Sequence, residues 1–201
     1  MIIILYKMNI VDKCCFNFEE KIIYLHGFNN RLHNDISNKL KYYFGENMII
    51  ASYDNINPLN AFEQLDLLIR GLMASDKVYL VGVSVGGFWA NYFSEKYVLN
   101  CILINPVLKP AEIFKLKTNE YKLPVFKNLK AWQNYKSLDT PGIKKIILLG
   151  AKDNFIDLIY IRHIFENKFI IEDAEEGHEF KNIHTILDVI EFSIAEFDLP
   201  F

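Results

Sequence analysis

A glycine-x-serine-x-glycine pentapeptide is the segment of this chain whose residue types and spacing point most directly to chemistry. It runs from Gly82 to Gly86 with Ser84 at its centre, between the apolar run Val78–Val81 and a helical pattern over Val85–Tyr97. A strand that turns this sharply into a helix has no room for side chains two residues before and after the serine, and glycines stand there. The pattern is a nucleophile elbow, which exposes the serine hydroxyl above a sheet.

A serine hydroxyl is a weak nucleophile unless a base takes its proton, and histidine is the usual base. In a fold with this elbow the chain order is nucleophile, acid, histidine, and the histidine follows the last strand. His178 meets that requirement, because it follows the apolar run Phe169–Ile171 and precedes the last helical pattern. His184 is the alternative, although it falls inside that helical pattern. The remaining histidines are His26, His33 and His163.

The acid that orients the imidazole is expected in the loop after the preceding strand. Asp153 lies in that loop, shortly after the apolar run Ile146–Leu149, and we assign it this role. Asp157 is the main alternative, but it opens the next helical segment and is equally well explained as a helix cap. Glu172 and Asp173, at the end of the last strand, stay open as further alternatives because some enzymes recruit the acid from elsewhere.

Two backbone N–H groups are needed to bind the negatively charged oxygen of a tetrahedral intermediate. The residue after the nucleophile, Val85, supplies one of them. The second should come from the loop after the first core strand, where the His26-Gly27 turn lets an amide point into the site. Phe28 is the expected donor, and we expect the His26 ring to brace this loop rather than to transfer protons.

The elements around these residues form the pattern of a parallel sheet covered on both faces. The strand-like runs are continuously apolar rather than alternating, as buried parallel strands require, and helical patterns lie between them. This predicts a single-domain α/β fold with a mostly parallel, doubly wound sheet of about six core strands and helices on both faces. The predicted strands are Ile22–Leu25, Met48–Ser52, Val78–Val81, Cys101–Ile104, Ile146–Leu149 and Phe169–Ile171, and the predicted helices are Leu59–Met73, Val85–Tyr97, Asp157–Phe165 and Ile183–Phe197.

Two segments fit this pattern less well. Residues 1–20 are interpreted as an antiparallel hairpin of Ile2–Tyr6 with Cys14–Phe18, or as a leader. Residues 106–141 have the position of the short lid that enzymes of this fold insert above the site, and aromatic residues there are candidates for a pocket as well as for packing. The residues expected to line a substrate pocket are Phe28, Asn29, Phe88, Tyr121 and Trp132.

The composition excludes several classes of function. The formal net charge is -3, with 22 basic and 25 acidic residues, so the chain lacks the electrostatic footprint of a nucleic-acid-binding protein. No apolar run approaches the length of a membrane span, and the start of the chain lacks the pattern of a signal peptide, so we expect a cytoplasmic protein without a membrane partner. Cys14, Cys15 and Cys101 are interpreted as reduced thiols, and neither a metal nor a cofactor is expected.

Taken together, these motifs resemble those of the YqiA-like esterases, a small bacterial branch of the α/β-hydrolases. The segments that carry the resemblance, within residues 22–195, are Tyr24–Asn29, Gly82–Phe88, Ile104–Pro106, Gly150–Asp153 and Glu175–Phe180. The resemblance implies an esterase acting on short acyl esters, or alternatively on acyl thioesters, with Ser84, Asp153 and His178 as its triad.

Two positions depart from that family's pattern. Lys152 stands where the family usually has glycine before its acid, and Gly177 stands where it usually has aspartate before its histidine. These departures leave the chemistry intact and the substrate preference open. A hydrolase-like scaffold that binds a ligand without turnover is the competing class of function.

Overall fold

The computed structural model of the chain describes residues 2–4, 20–28, 35–116, 129–133, 135 and 142–199. Within these ranges, seven strands form one sheet in which every pairing is parallel. In chain order the strands are β1 (Ile2–Ile4), β2 (Glu20–Leu25), β3 (Met48–Ile50), β4 (Lys77–Val83), β5 (Cys101–Ile104), β6 (Lys145–Gly150) and β7 (Phe169–Asp173). Across the sheet their order is β1-β7-β6-β5-β4-β2-β3.

Helices cover both faces of this sheet. They are α1 (Asp35–Phe44), α2 (Pro58–Met73), α3 (Val85–Tyr97), α4 (Pro110–Leu116), α5 (Leu129–Trp132), α6 (Leu158–Ile164) and α7 (Ile183–Asp198). Buried side chains of α2, α3, α5 and α6 belong to one apolar cluster, and those of α1 and α7 belong to a second. None of these helices, over the described part of the chain, combines the length and the hydropathy that a bilayer crossing requires.

Strand side chains alternate between the two clusters, as the pleat of a strand dictates. In β4, Val78 and Leu80 pack with α3, whereas Tyr79 and Val81 pack with α7 on the other face. All four are at most 4% exposed. A strand buried on both faces is apolar at nearly every position, which explains the continuous apolar runs in the sequence.

The predicted doubly wound α/β architecture is confirmed, and β1 adds an edge strand to the six that were expected. β1 runs parallel to β7, with Ile2 opposite Ile170 and Ile4 opposite Glu172. Most of the predicted hairpin of residues 1–20 lies outside the described residues, and its described part, Ile2–Ile4, takes part in this parallel pairing. The prediction did not include α1, α4 or α5.

Side-chain caps fix where the helices next to the site begin. The Asn57 side chain accepts from the Leu59 N–H at the start of α2, and the Asn182 side chain accepts from the His184 and Thr185 N–H groups at the start of α7. The buried stripe of α2 consists of Pro58, Ala61, Leu65 and Ile69. Leu59, where the predicted helix begins, is 49% exposed and lies off this stripe.

The chain reverses its direction of winding between β2 and β4. After β2 it moves outward to the edge strand β3, crosses back to β4 on the other side of β2, and then continues through β5, β6 and β7. Doubly wound sheets place their sites at the carboxyl ends of the strands beside such a switch. Ser84 follows β4 and His26 follows β2, so both lie at this point.

Candidate active site

Ser84 occupies the turn from β4 into α3 in a backbone conformation that side-chain-bearing residues rarely adopt. Its φ is 55° and its ψ is -118°. The Ser84 N–H donates to the Ile104 carbonyl at 3.0 Å, and the Ser84 carbonyl accepts from the Gly87 and Val107 N–H groups at 3.0 and 2.9 Å. Strained backbone of this kind persists only where its surroundings hold it, and here the end of β5 does so.

The two glycines of the pentapeptide each let another part of the backbone come close to the elbow. A Cβ on Gly82 would lie 2.3 Å from the Gly86 carbonyl oxygen and 2.6 Å from the Ala90 Cβ. A Cβ on Gly86 would lie 2.0 Å from the Leu25 carbonyl oxygen and 2.7 Å from that of His26. Gly82 therefore lets α3 pack directly on β4, and Gly86 lets the end of β2 touch the elbow.

Ser84, His178 and Asp153 form one chain of hydrogen bonds. Ser84 Oγ lies 2.9 Å from His178 Nε2, and His178 Nδ1 lies 2.8 Å from Asp153 Oδ2. A carboxylate accepts hydrogen bonds, so Nδ1 carries the ring proton and Nε2 is left to accept from the serine hydroxyl. The Asp153 side chain is fully buried, and its Oδ1 accepts from the Phe155 and Ile156 N–H groups at 2.7 and 3.2 Å.

Asn105, the first residue after β5, links the loop of the acid to the loop of the histidine. Its Nδ2 donates to the Gly177 and His178 carbonyls at 2.8 and 3.1 Å, and its Oδ1 accepts from the Gly150 N–H at 2.8 Å. Asn105 is fully buried and has a φ of 42°, a conformation that asparagine tolerates better than most residues. These bonds fix the two loops relative to each other.

The loop that carries His178 is closed by the carboxylate of Glu176. Glu176 accepts from the Lys181 and Asn182 N–H groups at 2.6 and 3.1 Å, on the far side of the histidine. The Phe155 ring lies 4.3 Å from the His178 ring at 35° and covers part of it. The imidazole is therefore restricted both through its loop and through its ring face.

The alternative acids have structural partners elsewhere. Asp157 caps α6 by accepting from a backbone N–H of that helix at 3.0 Å. Glu172 forms a two-point ion pair with Arg162 at 2.6 and 3.1 Å. Asp173 accepts from the Thr185 hydroxyl at 3.1 Å. Each of the three carboxylates therefore has a structural partner, and none of them contacts His178 in the way that Asp153 does.

The other histidines do not share the position of His178. His184 is exposed on α7, and His163 is exposed on α6, 3.7 Å from Glu166. His33 lies outside the described residues. His26 is buried in the loop after β2.

The two expected oxyanion donors lie at the ends of β2 and β4. Val85 is the first residue of α3, and the first N–H groups of a helix have no acceptor within it. Phe28 follows the braced turn at His26, whose ring stacks on Tyr53 with centroids 4.6 Å apart. Burial lowers the pKa of His26, and its bond to the Gly27 carbonyl opposes this only in part, so the ring stays neutral at neutral pH.

Of the predicted pocket residues, some lie in the core and others lie outside the described residues. Phe88 and Trp132 are 6% and 2% exposed and pack edge to face at 5.2 Å, and the partly buried Phe28 packs against the same cluster. Phe88 and Trp132 also line a cavity of about 600 Å³, whose described lining includes none of the triad residues. Phe88 and Trp132 therefore pack in the apolar core and line this cavity at the same time. Asn29 and Tyr121 lie outside the described residues.

Among the described residues, no three His, Cys, Asp or Glu side chains gather in an arrangement that could hold a metal ion. Cys101 is a buried free thiol in β5. Burial raises the pKa of this thiol to about 11, which keeps it protonated and unreactive at neutral pH. Cys14 and Cys15 lie outside the described residues.

Sequence comparisons place almost the whole chain in one group of proteins. The model of an uncharacterised protein family, UPF0227, matches residues 21–193. A UPF0227 protein of Klebsiella pneumoniae is 26% identical over 171 residues, and the UPF0227 protein YcfP of Escherichia coli O9:H4 is 24% identical over 171 residues. Each alignment covers 81% of this chain and 92% of the relative. These matches confirm the family resemblance that the motifs indicate.

Comparison with solved structures identifies the fold. Est1E from Butyrivibrio proteoclasticus superposes with a TM-score of 0.68 at 12% identity, covering 90% of each chain. The methylesterase MES16 from Arabidopsis superposes with a TM-score of 0.63 at 14% identity, covering 88% of this chain and 99% of that one. At these identities the likeness shows the fold alone, which is a single-domain α/β-hydrolase fold.

Proposed function

We propose that this chain, which belongs to the UPF0227 family, is a serine hydrolase that cleaves carboxylic esters of short acyl chains through an acyl-enzyme on Ser84. The hydrogen-bonded chain from Ser84 Oγ through His178 to Asp153, with links of 2.9 and 2.8 Å, carries the proposal. It lies at the switch point of the sheet, where this fold places its sites. The motif resemblance to esterases, and the esterases among proteins of the same fold, support the choice of an ester as substrate.

Acylation would use each group of the site once. His178 Nε2 takes the hydroxyl proton while Ser84 Oγ bonds to the acyl carbon, and Asp153 stabilises the imidazolium that forms. The negative charge that develops on the acyl oxygen is bound by the N–H groups of Val85 and Phe28. The alcohol then leaves with the proton from Nε2, and the acyl group remains on Ser84.

Deacylation repeats these steps with water as the nucleophile. His178 takes a proton from the water molecule as its oxygen bonds to the acyl carbon. The same two N–H groups bind the second oxyanion, and Ser84 Oγ leaves with the proton from Nε2. The products are a carboxylic acid and the free enzyme, so the reaction needs no reactant besides water.

The test compares p-nitrophenyl esters of increasing acyl length with thioesters of the same acids. We expect wild-type protein to hydrolyse the acetyl and butyryl esters, with kcat/KM falling for longer chains, and Ser84→Ala to lose at least about 10³-fold in kcat. Equal activity of Ser84→Ala and wild type would reject a serine hydrolase. A higher kcat/KM for the thioesters would change the substrate class, and a folded wild type without any turnover would favour a binding protein.

A further inference from the structure

The loop between β3 and α2 contacts the expected oxyanion loop through side chains that the proposed mechanism does not use. Tyr53 Oη donates to the His26 carbonyl at 2.5 Å, and Asn55 Nδ2 donates to the Gly27 carbonyl at 3.0 Å. Tyr53 is 8% exposed and Asn55 is half-buried. The two side chains therefore hold consecutive carbonyl groups at the end of β2.

The Gly27 carbonyl oxygen accepts two hydrogen bonds. His26 Nδ1 and Asn55 Nδ2 each lie 3.0 Å from it. A carbonyl oxygen has two lone pairs and can only accept, and His26 Nδ1 lies closer to this oxygen, at 3.0 Å, than to Asn55 Nδ2, at 3.4 Å, so we assign the ring proton of His26 to Nδ1. The neutral imidazole and the Asn55 amide together occupy both acceptor positions of this oxygen.

These two bonds determine the direction of the Phe28 N–H. The Gly27 carbonyl and the Phe28 N–H belong to one planar peptide unit, and the described chain contains no cis peptide bond. In a trans peptide the carbonyl and the N–H point in opposite directions. Donors that hold the Gly27 carbonyl on the side of the β3–α2 loop therefore turn the Phe28 N–H away from that loop.

A glycine peptide needs such restraint, because glycine has no Cβ and rotates at little steric cost. Reversal of the Gly27–Phe28 peptide would exchange the two ends of its dipole. A carbonyl oxygen would then face the position that the Phe28 N–H is expected to serve. An acceptor at that position repels an oxyanion, so one peptide reversal would convert stabilisation of the intermediate into repulsion.

Asn55 is itself held in place by its loop. Asp54 Oδ1 accepts from the Ile56 and Asn57 N–H groups at 3.1 Å each. The Asp54 N–H donates to Gln64 Oε1 of α2 at 2.7 Å. The loop is thus attached to the helix behind it, and the position of the Asn55 amide does not depend on a substrate.

We propose that Asn55 is a positioning residue of the oxyanion hole, whose amide holds the Gly27–Phe28 peptide so that the Phe28 N–H points at the developing oxyanion. This inference rests on the proposed function. The oxyanion exists only in the tetrahedral states, so loss of the Asn55 amide lowers kcat and leaves KM unchanged. Asn55 does not touch the triad, so the pH dependence of kcat/KM also stays unchanged.

Two substitutions separate the hydrogen bond from the size of the side chain. Asn55→Ala removes the donor, and Asn55→Asp keeps the shape but places a carboxylate oxygen against the Gly27 carbonyl. We expect kcat for p-nitrophenyl acetate to fall about 10-fold in Asn55→Ala and about 100-fold in Asn55→Asp, with KM within about twofold of wild type. Thermal unfolding of both variants establishes that they are folded.

Asn60→Ala is the matched control, because Asn60 is an exposed asparagine that donates to Asp54 Oδ2 at 3.0 Å and belongs to the same part of the chain. Its kcat should equal that of wild type. Unchanged kcat in folded Asn55→Asp, a loss confined to KM, or an equal loss in Asn60→Ala would overturn the inference. If turnover depends on Ser84 but not on Asn55, the inference alone fails. If wild-type turnover does not depend on Ser84, the proposed function fails and the inference with it.

Discussion

Asp153 holds the imidazole of His178 with one carboxylate oxygen and its own loop with the other. Oδ2 accepts from His178 Nδ1 at 2.8 Å, and Oδ1 accepts from the Phe155 N–H at 2.7 Å. An asparagine in this position would keep the size of the side chain but would favour the wrong tautomer of the imidazole. The proton would then lie on Nε2, which could no longer accept from Ser84.

We therefore predict that Asp153→Asn lowers kcat for p-nitrophenyl acetate by about 10⁴-fold. Asp157→Asn is the matched control, because it makes the same chemical change at a residue that only caps α6. Asparagine also caps helices well, so this control should leave kcat within about twofold of wild type. Steady-state hydrolysis at neutral pH measures both, and the reverse ranking would move the role of the acid to Asp157.

A second prediction for a single residue concerns Asn105. Asn105→Gly removes the amide while glycine accepts the φ of 42° at no steric cost. We expect kcat to fall about 100-fold, because a small displacement of His178 or Asp153 is enough for a loss of that size. The free energy of unfolding should fall by about 2 kcal/mol in a urea titration, since buried backbone groups lose their partners. Wild-type kcat in Asn105→Gly would show that the triad is positioned without this residue.

The residues of the hydrogen-bonded chain were easier to nominate from the sequence than the residues that hold them. Ser84, Asp153 and His178 each have a fixed place in the order of strands and loops, so the sequence alone was enough to nominate them. Asn105 and Asn55 donate hydrogen bonds to backbone carbonyls of distant loops. Every residue has a backbone carbonyl, so the sequence does not indicate which one a side chain will contact. Asn105 did belong to a motif that carried the family resemblance, but its contacts could not be read from that motif.

At the scale of elements, the position of α3 against β2 depends on one small residue. A Cβ on Gly86 would lie 2.0 Å from the Leu25 carbonyl oxygen, so Gly86→Ala must separate the elbow from the loop after β2. We predict a loss of about 2 kcal/mol in the free energy of unfolding together with a lower kcat.

Gly71→Ala is the control for this substitution. Gly71 lies within α2, and a Cβ there would meet nothing within 4 Å. Alanine is the better helix former, so this variant should gain up to about 1 kcal/mol at unchanged kcat. Urea unfolding and ester hydrolysis measure both variants. If Gly86→Ala matched Gly71→Ala in stability and activity, neither the stability nor the activity would depend on the close approach of β2 and α3.

Elements whose ends coincide with the ends of an apolar or helical pattern were predicted well, and elements that extend into polar residues were not. The prediction of Val85–Tyr97 agrees with the structure at both ends, and that of Cys101–Ile104 does so too. β4 and β6 begin earlier than their apolar runs, at Lys77 and Lys145, because the backbone ladder extends through polar residues. The pairing of β1 with β7 joins opposite ends of the chain, which local periodicity cannot reveal.

At the scale of the whole molecule, charged groups away from the site join helices across the surface. Asp66 of α2 forms ion pairs with Lys96 of α3 and, at 3.0 Å, with Arg70, and it accepts from the Tyr97 hydroxyl at 2.5 Å. Burial raises the pKa of Asp66, but the hydrogen bonds from Lys96 and Tyr97 outweigh this effect and the net shift is downward.

A folded-state pKa below the unfolded value stabilises the protein above the unfolded pKa, about 3.9 for aspartate, and this contribution is lost as pH falls through the folded pKa. Asp66→Asn should therefore lower the free energy of unfolding by about 1 kcal/mol at neutral pH. The difference from wild type should shrink as the pH falls below about 3.9. Urea titrations at neutral pH and at the lowest pH at which wild type is still folded test this, and an equal difference at both would contradict the assignment of this stability to the charged Asp66 carboxylate.

The class of fold was predictable because a sheet covered on both faces requires apolar residues at most positions of its central strands. The packing between the helices was not predictable in the same way. Phe88 and Trp132 were expected to line a substrate pocket; the structure packs them against each other at 5.2 Å and also places both on the wall of the cavity of about 600 Å³, so their role in substrate binding stays a prediction. Aromatic residues have the same sequence signature in a core and in a pocket, so the sequence could not predict the contact between α3 and α5.

The most direct test of the central claim is to map the adduct of a fluorophosphonate probe on the protein by mass spectrometry. We predict a single adduct on Ser84 in wild type, none in Ser84→Ala, and much slower labelling in His178→Ala, because the imidazole must take the hydroxyl proton. An unmodified wild type after prolonged exposure, or an adduct that persists in Ser84→Ala, would contradict the assignment of Ser84 as the nucleophile.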